Sequence, residues 1–191
     1  GLPRGFKDSF GKSLAIEKKI KEIIEKNFLR YGYAEIKSSP FEYTENIGGL
    51  LTDDLNNFSK DIFTFDDKDK KISLRFDLSA PLARIVSEKY LEFAFPFRRF
   101  QIAEVFRNET SKTGRGRYRS FFQGDFDQIF FGEVPPQANA EILQIICDTM
   151  FDLKFKKDQF RINIFNRKII EGLLNDLKIK DENQRFKVLR A

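Results

Sequence analysis

Isoleucines and a phenylalanine recur three and four residues apart among lysines and glutamates at Ile16, Ile20, Ile23, Ile24 and Phe28. That period predicts an amphipathic helix over residues 13–31, and Gly32 follows as its stop signal. Residues 33–38 then read as a strand ended by Pro40. Residues 62–65 and 71–76 read as two strands joined by the polar turn 66–70. Pro81 suits the first turn of a helix running to about residue 90, with Ser79 as its candidate N-cap. Residues 97–109 and 120–131 predict a strand pair around the loop 110–116. Pro135 and Pro136 introduce a helix over 138–153, and a strand at 161–165 and a short helix at 168–177 follow. Hairpins mixed with flanking helices, without regular strand–helix alternation, predict an α+β fold on a mainly antiparallel sheet. There are no repeats or low-complexity tracts, so the 191 residues are expected to form one domain with a sizeable core.

Composition narrows the chemistry. The 41% hydrophobic and 33% charged content is that of a soluble globular chain, and no apolar run approaches the length of a membrane span. The chain has no histidine and a single cysteine, Cys147, within an apolar run that predicts a buried thiol. Ser–His and Cys–His catalysis and a Cys/His zinc site are therefore excluded within these residues. With no internal disulfide and no signal peptide, the expected compartment is a reducing cytoplasm.

The net charge of +5 is modest, but its placement is not even. Arg98, Arg99, Arg107, Lys112, Arg115, Arg117 and Arg119 stand against Glu104 and Glu109, so this one window carries 7 − 2 = +5. A concentrated basic segment predicts a polyanionic ligand, nucleotide or RNA, with a solvated basic loop as the plain alternative.

Within that window the order is Phe106-Arg107-Asn108-Glu109, a basic glycine-containing loop, then Arg117-Tyr118-Arg119-Ser120-Phe121. An arginine fixed on a strand can fork onto a phosphate, and a second one across the hairpin can hold distal phosphates. A phenylalanine offers adenine a face, and a carboxylate can accept its amino group. The pattern resembles motif 2 of the class II aminoacyl-tRNA synthetases. By that resemblance Arg107 binds the α-phosphate of ATP and is the catalytic residue, and Glu109 meets the adenine amino group. Arg117 would hold the γ-phosphate and Phe121 would stack on adenine. The helix over 13–31, the strand 33–38 and Pro40 resemble motif 1, which places Pro40 at the interface of a homodimer.

Other segments resemble the histidyl-tRNA synthetase family: Leu2-Pro3-Arg4-Gly5-Phe6-Lys7-Asp8, Leu74-Arg75-Phe76-Asp77-Leu78-Ser79-Ala80-Pro81-Leu82-Ala83-Arg84, Gln123-Gly124-Asp125-Phe126-Asp127 and Asn166-Arg167-Lys168. The resemblance assigns Asp77, Ser79 and Gln123 to the ammonium of L-histidine and Asp127 to its imidazole N–H. Asp77 could equally cap the helix ahead of Pro81, and Asp125 and Asp127 could be exposed strand residues. Lys112 and Arg115 are left for the acceptor end of tRNA. Ser79 stands where the family usually has threonine, Phe122 where it often has histidine or tyrosine, and the loop is longer than in many bacterial relatives.

The implied reaction joins histidine to ATP as histidyl-adenylate and then moves the histidyl group to the 3′ end of tRNA, with Mg²⁺ on the phosphates. Residues 1–191 are expected to be the N-terminal part of the catalytic domain, without motif 3 and the anticodon-binding domain. Two alternatives are a non-catalytic synthetase-like regulatory subunit of ATP phosphoribosyltransferase, which usually degrades motif 2, and a plain RNA-binding module.

Overall fold

The computed structural model describes residues 1–51, 61–108, 118–182, 184 and 185. The chain divides into two compact units, Gly1–Lys154 and Phe155–Ala191.

The first unit opens with α1 (Gly11–Arg30), close to the helix expected, and Gly32 ends it with φ of 77°, a conformation that costs glycine little. Two strands follow, β1 (Ala34–Glu35) and β2 (Phe41–Tyr43), and then α2 (Thr44–Leu51). β3 (Thr64–Asp67) and β4 (Lys70–Leu74) form a hairpin tighter than expected, turning on Lys68 and Asp69 with Lys68 at φ of 56°. α3 (Ser79–Lys89) leads into a short 3₁₀ turn, Tyr90–Glu92. The long hairpin β5 (Phe97–Phe106) and β6 (Ser120–Ile129) and the helix α4 (Pro136–Asp152) complete the unit.

One sheet has the order β1-β5-β6, with β1 parallel and β6 antiparallel to β5. The other is the antiparallel set β2-β4-β3. Helices and mainly antiparallel sheets make the α+β fold that the pattern predicts. Successive side chains of β5 and β6 point to opposite faces. Phe100, Ile102 and Phe126 lie on the even-numbered face and pack with Phe28 and Ile24 of α1, Tyr31, Tyr33 and Ile145 of α4. Gly124 shares that face, where a Cβ would sit 3.9 Å from Ile24. Arg98 adds an ion pair to Glu141 at 2.6 Å, and Arg30 reaches Asp148 at 2.6 Å, fastening both β5 and α1 to α4. The odd-numbered face of the hairpin is left for other work.

Several local expectations are corrected. The strand expected over 33–38 is only two residues long by pairing, because β1 finds its partner in β5 alone; Ile36 adds one bond to the Phe100 carbonyl at 2.9 Å. β2 and α2 carry too short a period to stand out in sequence. Ser79 does not cap α3: it is the first helical residue, and Asp77 Oδ1 accepts the Ala80 N–H at 3.0 Å instead. Cys147 is only half-buried.

In the second unit, α5 (Arg167–Asp176) is capped by Asn166, whose side chain accepts the Lys168 N–H at 2.9 Å. Residues 161–165 are not a strand. A strand exists by pairing, and no neighbour among the described residues pairs with them.

Candidate active site

The two sheets are tied by Arg75, which is 8% exposed. Its Nε donates to the Glu104 carbonyl at 2.7 Å and its Nη1 to the Ser38 carbonyl at 3.1 Å. Its own backbone N–H reaches the Pro40 carbonyl, and its carbonyl accepts from Phe106. Burial pushes the guanidinium below its usual range, partly offset by Glu104. These bonds hold the segment 75–79 against β5, so Asp77 and the start of α3 arrive beside the odd-numbered face of the hairpin.

On that face the antiparallel register sets Arg99 opposite Asp127, Gln101 opposite Asp125 and Ala103 opposite Gln123. Gln123 Nε2 donates to Asp125 Oδ1 at 2.6 Å, which leaves the Gln123 carbonyl as an acceptor. Asp77 spends one carboxylate oxygen on the helix start. Ser79 is exposed beside it.

Arg99 sits beneath these acids with no exposed side-chain surface, and its Nη2 meets Asp127 Oδ2. The same nitrogen reaches the Leu78 carbonyl at 3.4 Å, a long contact. Burial pushes the Arg99 guanidinium down, with Asp127, Asp125 and Asp77 pulling it back. Burial likewise raises the Asp127 carboxyl; Arg99 opposes this and Asp125 adds to it. Asp127 is therefore neither a plain exposed strand residue nor a sequestered one, since its side chain is 37% exposed.

Arg107 follows the end of β5, and its backbone N–H pairs with the Arg119 carbonyl at 2.8 Å across the hairpin base. Its Nε donates to the Phe76 carbonyl at 3.3 Å. Its Cζ lies 4.4 Å from the Phe76 ring centre and 5.1 Å from that of Phe121, so two aromatic faces hold the guanidinium. Phe121 also borders a cavity of about 310 Å³ that includes Phe6, Lys7 and Tyr118. The N-terminal segment is fastened there by the Gly5 carbonyl, which accepts the Arg119 N–H at 2.8 Å.

Gln123, Asp127, Phe121 and Arg107 thus share the odd-numbered face of the hairpin, spread along it from Asp127 opposite Arg99 to Arg107 just past the end of β5, and Asp77 comes within electrostatic reach of Arg99. Glu109, Lys112, Arg115 and Arg117 lie outside the described residues. Pro40 is exposed and is bonded to Arg75 rather than to these groups. Phe122, where the family often has histidine or tyrosine, faces α1: Lys21 lies 2.8 Å from its ring centre, and with Glu17, Glu104 and Ser120 it lines the helix side of the 310 Å³ cavity. Strand alternation puts it on the helix side. Sequence reasoning missed Arg75 and Arg99, and nothing in the local pattern distinguishes either from a solvated arginine.

A family model described as histidyl-tRNA synthetase matches residues 5–191. The chain belongs to the histidyl-tRNA synthetase family. It is 48% identical to the histidine–tRNA ligase of Pelagibacter ubique over all of its length and 40% of that protein's. It is 37% identical to the histidine–tRNA ligase of Bradyrhizobium diazoefficiens, again over all of this chain and 38% of the relative. The crystal structure of histidyl-tRNA synthetase from Nostoc sp. superposes with a TM-score of 0.81 at 25% identity, covering 95% of this chain and 40% of that one. An ATP phosphoribosyltransferase regulatory subunit/histidyl-tRNA synthetase from Bacillus halodurans shares the fold, with a TM-score of 0.67 at 22% identity. The chain spans about two fifths of the length of the curated relatives it matches.

Among the described residues no cluster of three or more Asp, Glu, Cys or His is placed to hold a metal ion, so these residues give Mg²⁺ no ligand set. No described helix is long and apolar enough to cross a membrane.

Proposed function

We propose that this synthetase chain supplies one wall of a site that activates L-histidine with ATP and passes the histidyl group to the 3′ end of histidine tRNA. The observation that supports the reading is that Arg107, Gln123 and Asp127 line one face of a single hairpin, with Asp77 held beside Arg99 on that face. Arg107, clamped by Phe76 and Phe121, is the cation that takes up negative charge growing on the α-phosphate as the histidine carboxylate attacks. Most of that work is positioning and charge stabilisation, so a guanidinium held before the reaction begins is worth more than a mobile one. Asp77, the carbonyl of Gln123 and the hydroxyl of Ser79 suit an ammonium, and Asp127 suits the imidazole N–H. The ring of Phe121, already beside Arg107, suits a planar adenine; Glu109 and Arg117 complete the ATP contacts. Lys112 and Arg115 are assigned to the tRNA acceptor end, the segment around Pro40 to a homodimer interface, and the enzyme to the cytoplasm. Mg²⁺ accompanies the ATP phosphates.

The intact Phe106-Arg107-Asn108-Glu109 and Arg117 to Phe121 segments favour this reading over a regulatory subunit without catalysis. The deciding measurement is ATP–pyrophosphate exchange by the full-length polypeptide that carries these residues. Exchange that depends on histidine and on no other amino acid is expected. Histidine-independent exchange, or none with tight ATP binding, would refute it.

A further inference from the structure

Arg99 has a feature that stability does not explain. A buried ion pair rarely stabilises more than well-packed apolar residues of similar size, because both ions lose their water. Arg99 is fully buried, and its Nε and Nη1 find no hydrogen-bond partner among the described residues. An apolar side chain would fill the same place at lower cost. The arginine also cannot reach a ligand itself, since it has no exposed surface. Whatever it does passes through the group it touches, Asp127.

We infer that Arg99 is a positioning residue that keeps Asp127 ionised and aimed to accept the imidazole N–H of histidine, a role that rests on the reading of Asp127 given above. Arg99 engages Oδ2, which is buried, while the Asp127 side chain as a whole is 37% exposed; Oδ1 is left on the accessible side. The pair is fixed by the backbone, because the two residues are direct cross-strand partners. The charged groups around this carboxylate are Arg99 on β5, Asp125 on its own strand and Asp77 ahead of α3. Without the arginine, three acids would share the pocket with no resident cation. Burial and Asp125 both push Asp127 toward its protonated form, and without Arg99 no cation would oppose them. A protonated carboxyl is a poor acceptor, and an uncompensated carboxylate would favour imidazolium. With Arg99 beneath it, Asp127 is already neutralised and suits the neutral imidazole that histidine carries at pH 7.

The test is steady-state pyrophosphate exchange by the full-length enzyme and its Arg99→Met, Arg99→Gln, Arg99→Lys and Asp127→Ala variants between pH 6 and 8.5. Arg99→Met is expected to raise the histidine KM about tenfold or more at pH 7, the scale of one charge-assisted hydrogen bond, with the ATP KM unchanged. Its KM ratio to wild type should shrink as pH rises, because Asp127 recovers its charge. A purely structural role would give a ratio that does not vary with pH, and that result overturns the inference. Arg99→Lys, which keeps a cation, should recover part of the loss. If Arg99→Met fails to fold, Arg99→Gln, which removes the charge and keeps a polar side chain, decides: an unchanged histidine KM overturns the role. Asp127→Ala, which leaves no acceptor, separates the two readings. A normal histidine KM in that variant removes Asp127 from the pocket, whereas a raised one beside a normal Arg99→Met sinks only the role of Arg99.

Discussion

Arg107 is positioned by three things at once: the hairpin bond to Arg119, the Phe76 carbonyl and two aromatic faces. A side chain held this firmly pays little to meet a phosphate. Arg107→Ala should lower histidine-dependent pyrophosphate exchange by about 10²–10³, the usual effect of losing one preorganised donor. A rate within threefold of wild type would deny it the α-phosphate. For Asp127→Ala the loss should fall on histidine rather than on ATP, raising the histidine KM by roughly 10–100-fold. Equal changes in both constants would mean a general disturbance of the site. Arg107 and Asp127 stood out in the sequence because each sits in a segment whose residue types suit ATP or histidine. Arg99 was not: beside Arg98 it reads as half of an exposed basic pair, yet Arg98 reaches Glu141 near the surface while Arg99 is buried. Side-chain alternation sends the two to opposite faces, and only the packed sheet says which face is covered.

At the scale of elements, the β5–β6 hairpin carries most of the chemistry. Its loop contains Lys112 and Arg115, which the ATP contacts do not need. Replacing both with alanine should weaken tRNA charging and flatten its salt dependence, while pyrophosphate exchange stays near wild type. Loss of exchange with charging preserved would reverse the assignment. Gly124, in the middle of β6, invites the thought that glycine is required there. It is not, because an added Cβ would meet Ile102 at 3.8 Å and Ile24 at 3.9 Å, ordinary contact distances. Gly124→Ala should change stability by less than about 0.5 kcal/mol in a denaturant melt. A loss of several kcal/mol would show that α1 lies closer to the sheet than these distances allow. The long hairpin and three main helices were legible because their periods run for many residues. The strand expected at 161–165 failed because alternation shows only that a segment could pair, not that a partner is present.

At the scale of the whole first unit, α1 and α4 cover one face of the β1-β5-β6 sheet and leave the other to the acidic cluster. Phe28 is the hinge of that arrangement, with its ring centre 5.3 Å from Phe100 and 4.7 Å from Phe126. Phe28→Ala should cost about 3–5 kcal/mol of unfolding free energy. A cost under 1 kcal/mol would mean that the helix and sheet are held by the Arg30–Asp148 and Arg98–Glu141 pairs instead.

The sequence by itself determined the α+β class, the hairpin that carries Arg107 and Phe121, and the residue types suited to ATP and to histidine. Those follow from local rules, namely hydrophobic period, turn residues and the spacing of charges within one hairpin. The tertiary structure alone decided that Asp77, from another part of the chain, comes within electrostatic reach of Arg99, the partner of Asp127. It decided that Arg75 binds the two sheets together and that Phe122 belongs to the helix side. It also decided that Arg99 lies buried under an acid. Each of these depends on contacts between residues far apart in sequence, and no periodicity along a chain records which distant face will cover it.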